Sequence, residues 1–337
     1  MWGDWGEIPR SGLSYAALHN AVFAFLAKRF ATFLATLFAA SVLTFVALEV
    51  LPGDPARVIL GVDAPDSAVA ALRQRLGLDG PPLERYLDWI GHLARGEFGV
   101  SYTYSVPVIE LVRDRLQVTV PLALLSMALA AALALGLGLY AAAHHNRRGD
   151  VVVMGLSQLG ISIPSFWLSL LLILAFAVSL NWFSSGGFPG WRNGFGPALA
   201  ALVLPAVALA TVQAAILARF IRSAVLDTMR EDYVRTARAK GLSANATLWR
   251  HVLRNALIPV VTILGLQFAN LLAGTIVVEN VFALPGIGRL VLQAINNRDV
   301  VVVRDVVVLI AAAVIVINFV VDLLYAAIDP RLRARDV

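Results

Sequence analysis

An all-α integral membrane protein with six transmembrane helices is the fold class that the sequence predicts. Three observations carry it. Hydrophobic residues make up 59% of the 337 positions and charged residues only 15%, whereas soluble domains carry about a quarter charged residues. The apolar residues gather into six stretches near the length of about 20 residues that a hydrocarbon core requires. Lys and Arg concentrate in alternate connections, as the positive-inside rule expects.

The first span is read at 30–51, with a single acid, Glu49, near its end. It is too long for the apolar core of a signal peptide, and the Leu51-Pro52-Gly53-Asp54-Pro55 that follows is not a small-x-small cleavage site. The second span, about 118–143, has no charge. The third, about 151–180, is also uncharged, and its continuation around Trp182, Gly186, Gly187 and Pro189 reads as an interfacial loop. The fourth and fifth, about 197–218 and 255–278, carry no charge, and the sixth, 306–328, carries only Asp322. Pro164, Pro205 and Pro259 lie inside spans, where each removes a backbone donor and kinks its helix.

Placing both termini in the cytoplasm gives the inside segments 1–29, 144–150, 219–254 and 329–337. These hold 16 Lys and Arg against 8 acids, while the outside segments hold 11 against 13 when Glu49 is counted with them. The net charge of +5 therefore reads as membrane topology rather than nucleic-acid binding.

Two connections are too patterned to be plain loops. In the outer segment 52–116, Leu83, Tyr86, Leu87, Ile90 and Leu93 form a helical stripe. Asp66 or Ser67 caps another helix carrying Leu72 and Leu76, and Val106, Ile109, Val112 and Leu116 lead into the second span. In 219–254, Leu226, Met229, Tyr233 and Ala237 fall on one face, with Arg230, Arg235, Arg238 and Lys240 elsewhere. Gly241 ends that helix and Ser243 caps the next. The expected result is a helix-turn-helix between two spans, with an amphipathic segment lying on anionic lipid as the other reading.

Several chemistries are absent. There is no cysteine, which excludes disulfides, thiolate metal sites and a cysteine nucleophile. No phosphate-binding G-x-x-x-x-G-K-[ST] loop, H-E-x-x-H or G-x-S-x-G occurs. No histidine falls within a span, and His144-His145 reads as a solvated loop. The intramembrane acids are Glu49 and Asp322, both near span ends. An ion-coupled secondary transporter needs intramembrane charge, so it is the second reading. An intramembrane enzyme needs polar residues paired at one depth, and no such set stands out. Gln158, Gln213, Gln267, Asn270 and Asn318 are the polar residues within spans, and interhelical hydrogen bonding is their ordinary role.

Specific blocks then carry a resemblance. Tyr233-Val234-Arg235-Thr236-Ala237-Arg238-Ala239-Lys240-Gly241-Leu242, followed by Leu253-Arg254-Asn255-Ala256-Leu257-Ile258-Pro259, closely resembles the EAA loop of dipeptide/oligopeptide/nickel ABC importer permeases. Further blocks match in order along nearly the whole chain: Leu51 to Pro55, Gly96 to Ser101, Ile163 to Trp167, Glu279 to Gly288, and Asp322 to Tyr325 with Asp329 to Arg331. The Leu-Pro-Gly-Asp-Pro block and long first outer segment resemble the B-type subunit. Arg235-Thr236-Ala237 replaces Glu-Ala-Ala, and Pro259 lies further beyond Gly241 than in sugar permeases; both departures suit the peptide branch. Residues 1–29 are longer than that pattern.

The resemblance implies a type I ABC importer permease fold, with a core at 117–328, in a bacterial inner membrane. It implies a coupling segment of Asp232, Tyr233, Arg235, Thr236, Ala237, Arg238, Lys240, Gly241 and Leu242 that docks on an ATPase. Gln213, Gln267, Asn270 and Asn318 are candidates for the translocation path. The implied partners are a second homologous permease, two ATPase subunits, an extracytoplasmic solute-binding protein and membrane lipid. No cofactor is expected on this chain, with ATP-Mg on the ATPases. Peptides are the first-guess solute, with nickel chelates, oligosaccharides and opine-like compounds carried by relatives.

Overall fold

The computed structural model describes residues 15–50, 54–61, 63–75 and 77–328. The tail 329–337, Leu51 to Gly53, Val62, Leu76 and residues 1–14 of the N-terminal segment lie outside the described residues. The regular structure described is helical, apart from one bridge between Val100 and Pro107. This agrees with the expected all-α class.

The helices are α1 (Tyr15–Val50), α2 (Pro55–Leu60), α3 (Asp66–Arg75), α4 (Pro82–Ala94), α5 (Val108–Ala143), α6 (Arg148–Ser162), α7 (Ser165–Leu172), α8 (Phe195–Thr228), α9 (Asp232–Ala239), α10 (Ala244–Thr247), α11 (Leu253–Val281), α12 (Ile287–Asn296) and α13 (Val300–Ile328). Wide π turns continue α7 through Ile173–Ser179 and join α10 to α11 through Leu248–Val252. Among the described residues, five helices are long and apolar enough to cross a membrane.

The third expected span is not one continuous helix. Between α6 and α7 the axis turns by 100°. Pro164 is the cause: it has no backbone donor, and it forces Ile163 out of the helical region to φ −81°, ψ 120°. Counted as one span, the bent pair brings the total to the expected six. Pro205 and Pro259 are accommodated inside α8 and α11, and so is Pro121 inside α5. Val106 precedes α5, so the expected stripe begins at Ile109.

The core lies between α5, α8 and α11. Its members on α5 and α8 are mostly small: Ala123, Ala130, Ala134, Ala142, Ala210, Ala214 and Ala218 are all buried. In lipid, helices gain by close backbone approach rather than by hiding apolar surface from water. Gly138 shows how close that approach is, since an added Cβ would stand 2.8 Å from Ile221 and 2.9 Å from the Ala218 carbonyl.

The segment 54–107 folds back on the ends of α1 and α13. Tyr86 and Trp89 of α4 pack with Phe45 and Val308, and Tyr86 shares a 2.8 Å hydrogen bond with Ser41. The loop 97–105 is pinned by two acids. Gly99 N and Trp89 Nε1 donate to Asp305 at 3.0 and 2.8 Å. Ser101 Oγ and Thr103 N donate to Asp299 at 2.6 and 2.9 Å.

Candidate coupling and translocation site

The segment between α8 and α11 folds as the expected helix-turn-helix. Helix α9 spans Asp232–Ala239, and Gly241 follows at φ +87°, a conformation that costs an L-residue with a Cβ free energy. Ser243 caps α10 by accepting from Ala246 N at 3.2 Å. Leu226 and Met229 belong to the end of α8, so the single face expected for Leu226, Met229, Tyr233 and Ala237 is divided between two helices.

Burial divides α9 sharply. Val234 is fully buried as part of the α5–α8–α11 core, and Ala237 is nearly so. Asp232, Tyr233, Arg235, Thr236, Arg238, Lys240 and Gly241 are exposed, and Leu242 is half-buried. Tyr233 leaves a large ring 41% exposed, while Asn255 Nδ2 of α11 donates to its hydroxyl at 2.8 Å. The helix is therefore held from beneath and presents an aromatic ring among Arg and Lys.

Near this face, Asp150 at the start of α6 is buried and takes two bonds from Arg222 of α8, Nε to Oδ1 at 2.6 Å and Nη2 to Oδ2 at 2.7 Å. Arg222 Nη2 also lies 3.1 Å from His145 Nδ1, and Asn146 N donates to Asp150 at 3.0 Å. This bidentate pair ties the α5–α6 turn to the helix that leads into α9.

The four path candidates are dispersed over three helices. Gln267 and Asn270 of α11 meet, with Asn270 Nδ2 donating to Gln267 Oε1 at 3.2 Å. Gln213 on α8 is buried, and its Oε1 finds no hydrogen-bond partner among the described residues; the same holds for Asn318 Oδ1 on α13. The two intramembrane acids singled out from the sequence are neutralised: Arg29 pairs with Asp322 at 2.9 Å, and Arg85 pairs with Glu49. No group of three or more metal-ligating side chains occurs among the described residues.

Residues 134–334 match the family described as binding-protein-dependent transport system inner membrane component, and residues 22–123 match its N-terminal companion. The chain belongs to this family. It is 42% identical over 286 residues to a glutathione transport system permease protein, GsiC, of Salmonella choleraesuis (strain SC-B67), covering 85% of this chain and 91% of that one. It is 40% identical over 310 residues to a Brucella abortus (strain 2308) protein provisionally named a peptide transport system permease protein, covering 92% and 99%. The fold is shared with the methionine ABC transporter MetNI solved in inward-facing conformations, at TM-score 0.53 and 19% identity, covering 66% of this chain and 97% of that one. This member of the family is an inner-membrane ABC transport permease, a transport subunit rather than a catalytic enzyme.

Three carboxylates received no reading of their own from the sequence. Glu279, Asp299 and Asp305 are all buried. Glu279 accepts from Thr119 Oγ1 at 2.6 Å and from Gly288 N at 2.8 Å, at the first turn of α12. Only Glu279 carried a signal along the chain, since it opens the block that holds Gly286 and Gly288.

Proposed function

We propose that this permease forms half of the translocation pathway of an ATP-driven importer for peptide-like solutes, and that Asp232–Leu242 receives the conformational stroke of an ATPase subunit. The observation that carries the coupling role is the division of α9. Val234 is buried in the helix core and Ala237 is covered, while Tyr233, Arg235, Arg238 and Lys240 stand exposed. A helix fixed on one side and bare on the other transmits displacement of a docked partner to the spans. Its cations favour an acidic groove edge on that partner. ATP-Mg is bound and hydrolysed on the partner chains, and this chain performs no bond chemistry.

A second homologous permease completes the pathway, and an extracytoplasmic binding protein delivers solute. The peptide assignment rests on what the relatives are named for, glutathione and peptide transport. Gln213, Gln267, Asn270 and Asn318 are the polar side chains offered to the path. Pairing of Glu49 with Arg85 and of Asp322 with Arg29 leaves those acids without the free charge an ion-coupled transporter uses. The termini and the α9 face are placed in the cytoplasm by the charge rule.

The test is affinity purification of the tagged chain from its native membrane. Recovery with ATPase subunits, and ATP-dependent uptake of glutathione or a dipeptide by the reconstituted complex, is the expected result. Solute uptake by the isolated chain without any ATPase would sink the proposal.

A further inference from the structure

A cavity of about 610 Å³ lies far from α9, beneath the folded-back segment. Phe45, Leu48 and Glu49 of α1, Arg85, Asp88 and Trp89 of α4, and Val301 and Arg304 of α13 line it. Its walls carry four arginines, Arg73, Arg85, Arg298 and Arg304, against three acids, Glu49, Asp54 and Asp88. Arg73 is taken by Asp54 and Asp79, and Arg85 by Glu49.

Arg304 is different. Its guanidinium lies 4.7 Å above the Trp89 ring. Its ion pair with Asp305 is loose, 3.6 Å from Nε and beyond hydrogen-bond reach, because both Asp305 oxygens are engaged by Trp89 Nε1 and Gly99 N. The Nε atoms of Arg304 and Arg85 are buried with no hydrogen-bond partner among the described residues. The enclosed Nε of Arg304 is out of a ligand's reach, but the loose pair with Asp305 leaves the planar fork, whose residue lines the cavity, to match a tetrahedral oxyanion.

We propose that this cavity binds the phosphate of a phospholipid headgroup, with Arg304 as its principal contact. Lipid is favoured over a soluble anion by the neighbouring wall. Phe45 and Leu48 place apolar side chains beside the arginines. They belong to α1, the span with the smallest buried share, whose Phe38, Leu43 and Val46 are exposed. A headgroup would meet the arginines while its chains run along α1. Asp88, exposed and without an ion pair among the described residues, opposes the ligand across the cavity. The bound lipid would tether the folded-back segment to the membrane at the level of the ends of α1 and α13.

Native mass spectrometry of the transporter complex, purified with phosphatidylglycerol and stripped by graded detergent, tests this. Wild type should retain a tightly held phosphatidylglycerol. Arg304→Gln should lower its retention about tenfold, the low end of what one charge-assisted hydrogen bond contributes. Asp88→Asn, on an exposed position that leaves the packing intact, should raise retention. Titration with inorganic phosphate separates the sources, since a lipid site keeps its phosphatidylglycerol at millimolar phosphate. Equal retention in wild type, Arg304→Gln and Asp88→Asn would overturn the proposal. So would full displacement by free phosphate, which would make the cavity a site for a soluble anion. If Arg304→Gln does not fold, the Asp88→Asn comparison alone decides.

Discussion

Thr119 on α5 donates to Glu279 on α11 across 2.6 Å, and the same hydroxyl oxygen accepts from Ile287 N at 2.9 Å, so two residues 160 positions apart close one buried hydrogen-bonded unit at the start of α12. The carboxylate sits at a helix N-terminus, where backbone donors and the helix dipole favour negative charge. Gly286 and Gly288 leave it room, since a Cβ on Gly286 would lie 2.2 Å from the carboxyl carbon.

Glu279→Ala should therefore cost about 3 kcal/mol or more, because Thr119 Oγ1 and Gly288 N lose their acceptor and each buried unmet donor costs roughly 1–3 kcal/mol. Glu279→Gln keeps an acceptor and should cost less. Gly286→Ala should destabilise through the clash alone. Thermal unfolding in detergent reads all three, and a wild-type midpoint for Glu279→Ala would refute the structural role.

Gly138 and Gly136 form a matched pair on α5. A Cβ at Gly138 meets Ile221 and the Ala218 carbonyl within 3 Å, whereas at Gly136 nothing lies within 4 Å. Gly138→Ala should lose about 1–3 kcal/mol by overpacking, and Gly136→Ala should gain up to about 1 kcal/mol from helix propensity. Equal effects would show that α5 and α8 do not approach as described.

Breaking the Asp150–Arg222 pair should be severe. Arg222→Ala leaves the buried Asp150 carboxylate without its bidentate partner, a loss of about 3 kcal/mol. The double variant Asp150→Ala with Arg222→Ala should lose less than the two single losses combined. Strict additivity in a double-mutant cycle would argue against the pair.

For the coupling segment, Gly241→Pro should preserve membrane insertion and abolish uptake, because proline is locked near φ −65° and the native value is +87°. Tyr233→Ala should lower ATP-dependent uptake by about tenfold. Tyr233→Phe, which loses only the 2.8 Å bond from Asn255, should be milder. Uptake at the wild-type rate in Gly241→Pro would remove this segment from the coupling path.

Much of this was legible along the chain. The spans follow from runs of apolar residues, and the turn at 239–243 follows from a glycine and a serine acting on their immediate neighbours. Local chemistry suffices there. It also contained the break at Pro164, although the uncharged run from Val151 concealed it, because hydropathy is blind to backbone direction.

The site residues divide in the same way. That Asp232–Leu242 forms a capped helix was readable. That Val234 points into the core and Tyr233 out of it was not, because the amphipathic pattern does not say which face meets the bundle. Gln267 and Asn270 meet since they stand one turn apart on α11; no such rule relates Gln213 to Asn318.

The sequence by itself determined a six-segment membrane chain, its family and the exposed turn around Gly241, because hydropathy, charge asymmetry and caps act over short distances. Only the tertiary structure decided that Glu279, Asp299 and Asp305 are buried partners of Thr119, Ser101 and Gly99. A carboxylate's environment depends on which distant donors the packed helices bring to it, and in a bundle closed by small residues that is settled by the approach of α5, α8, α11 and α13.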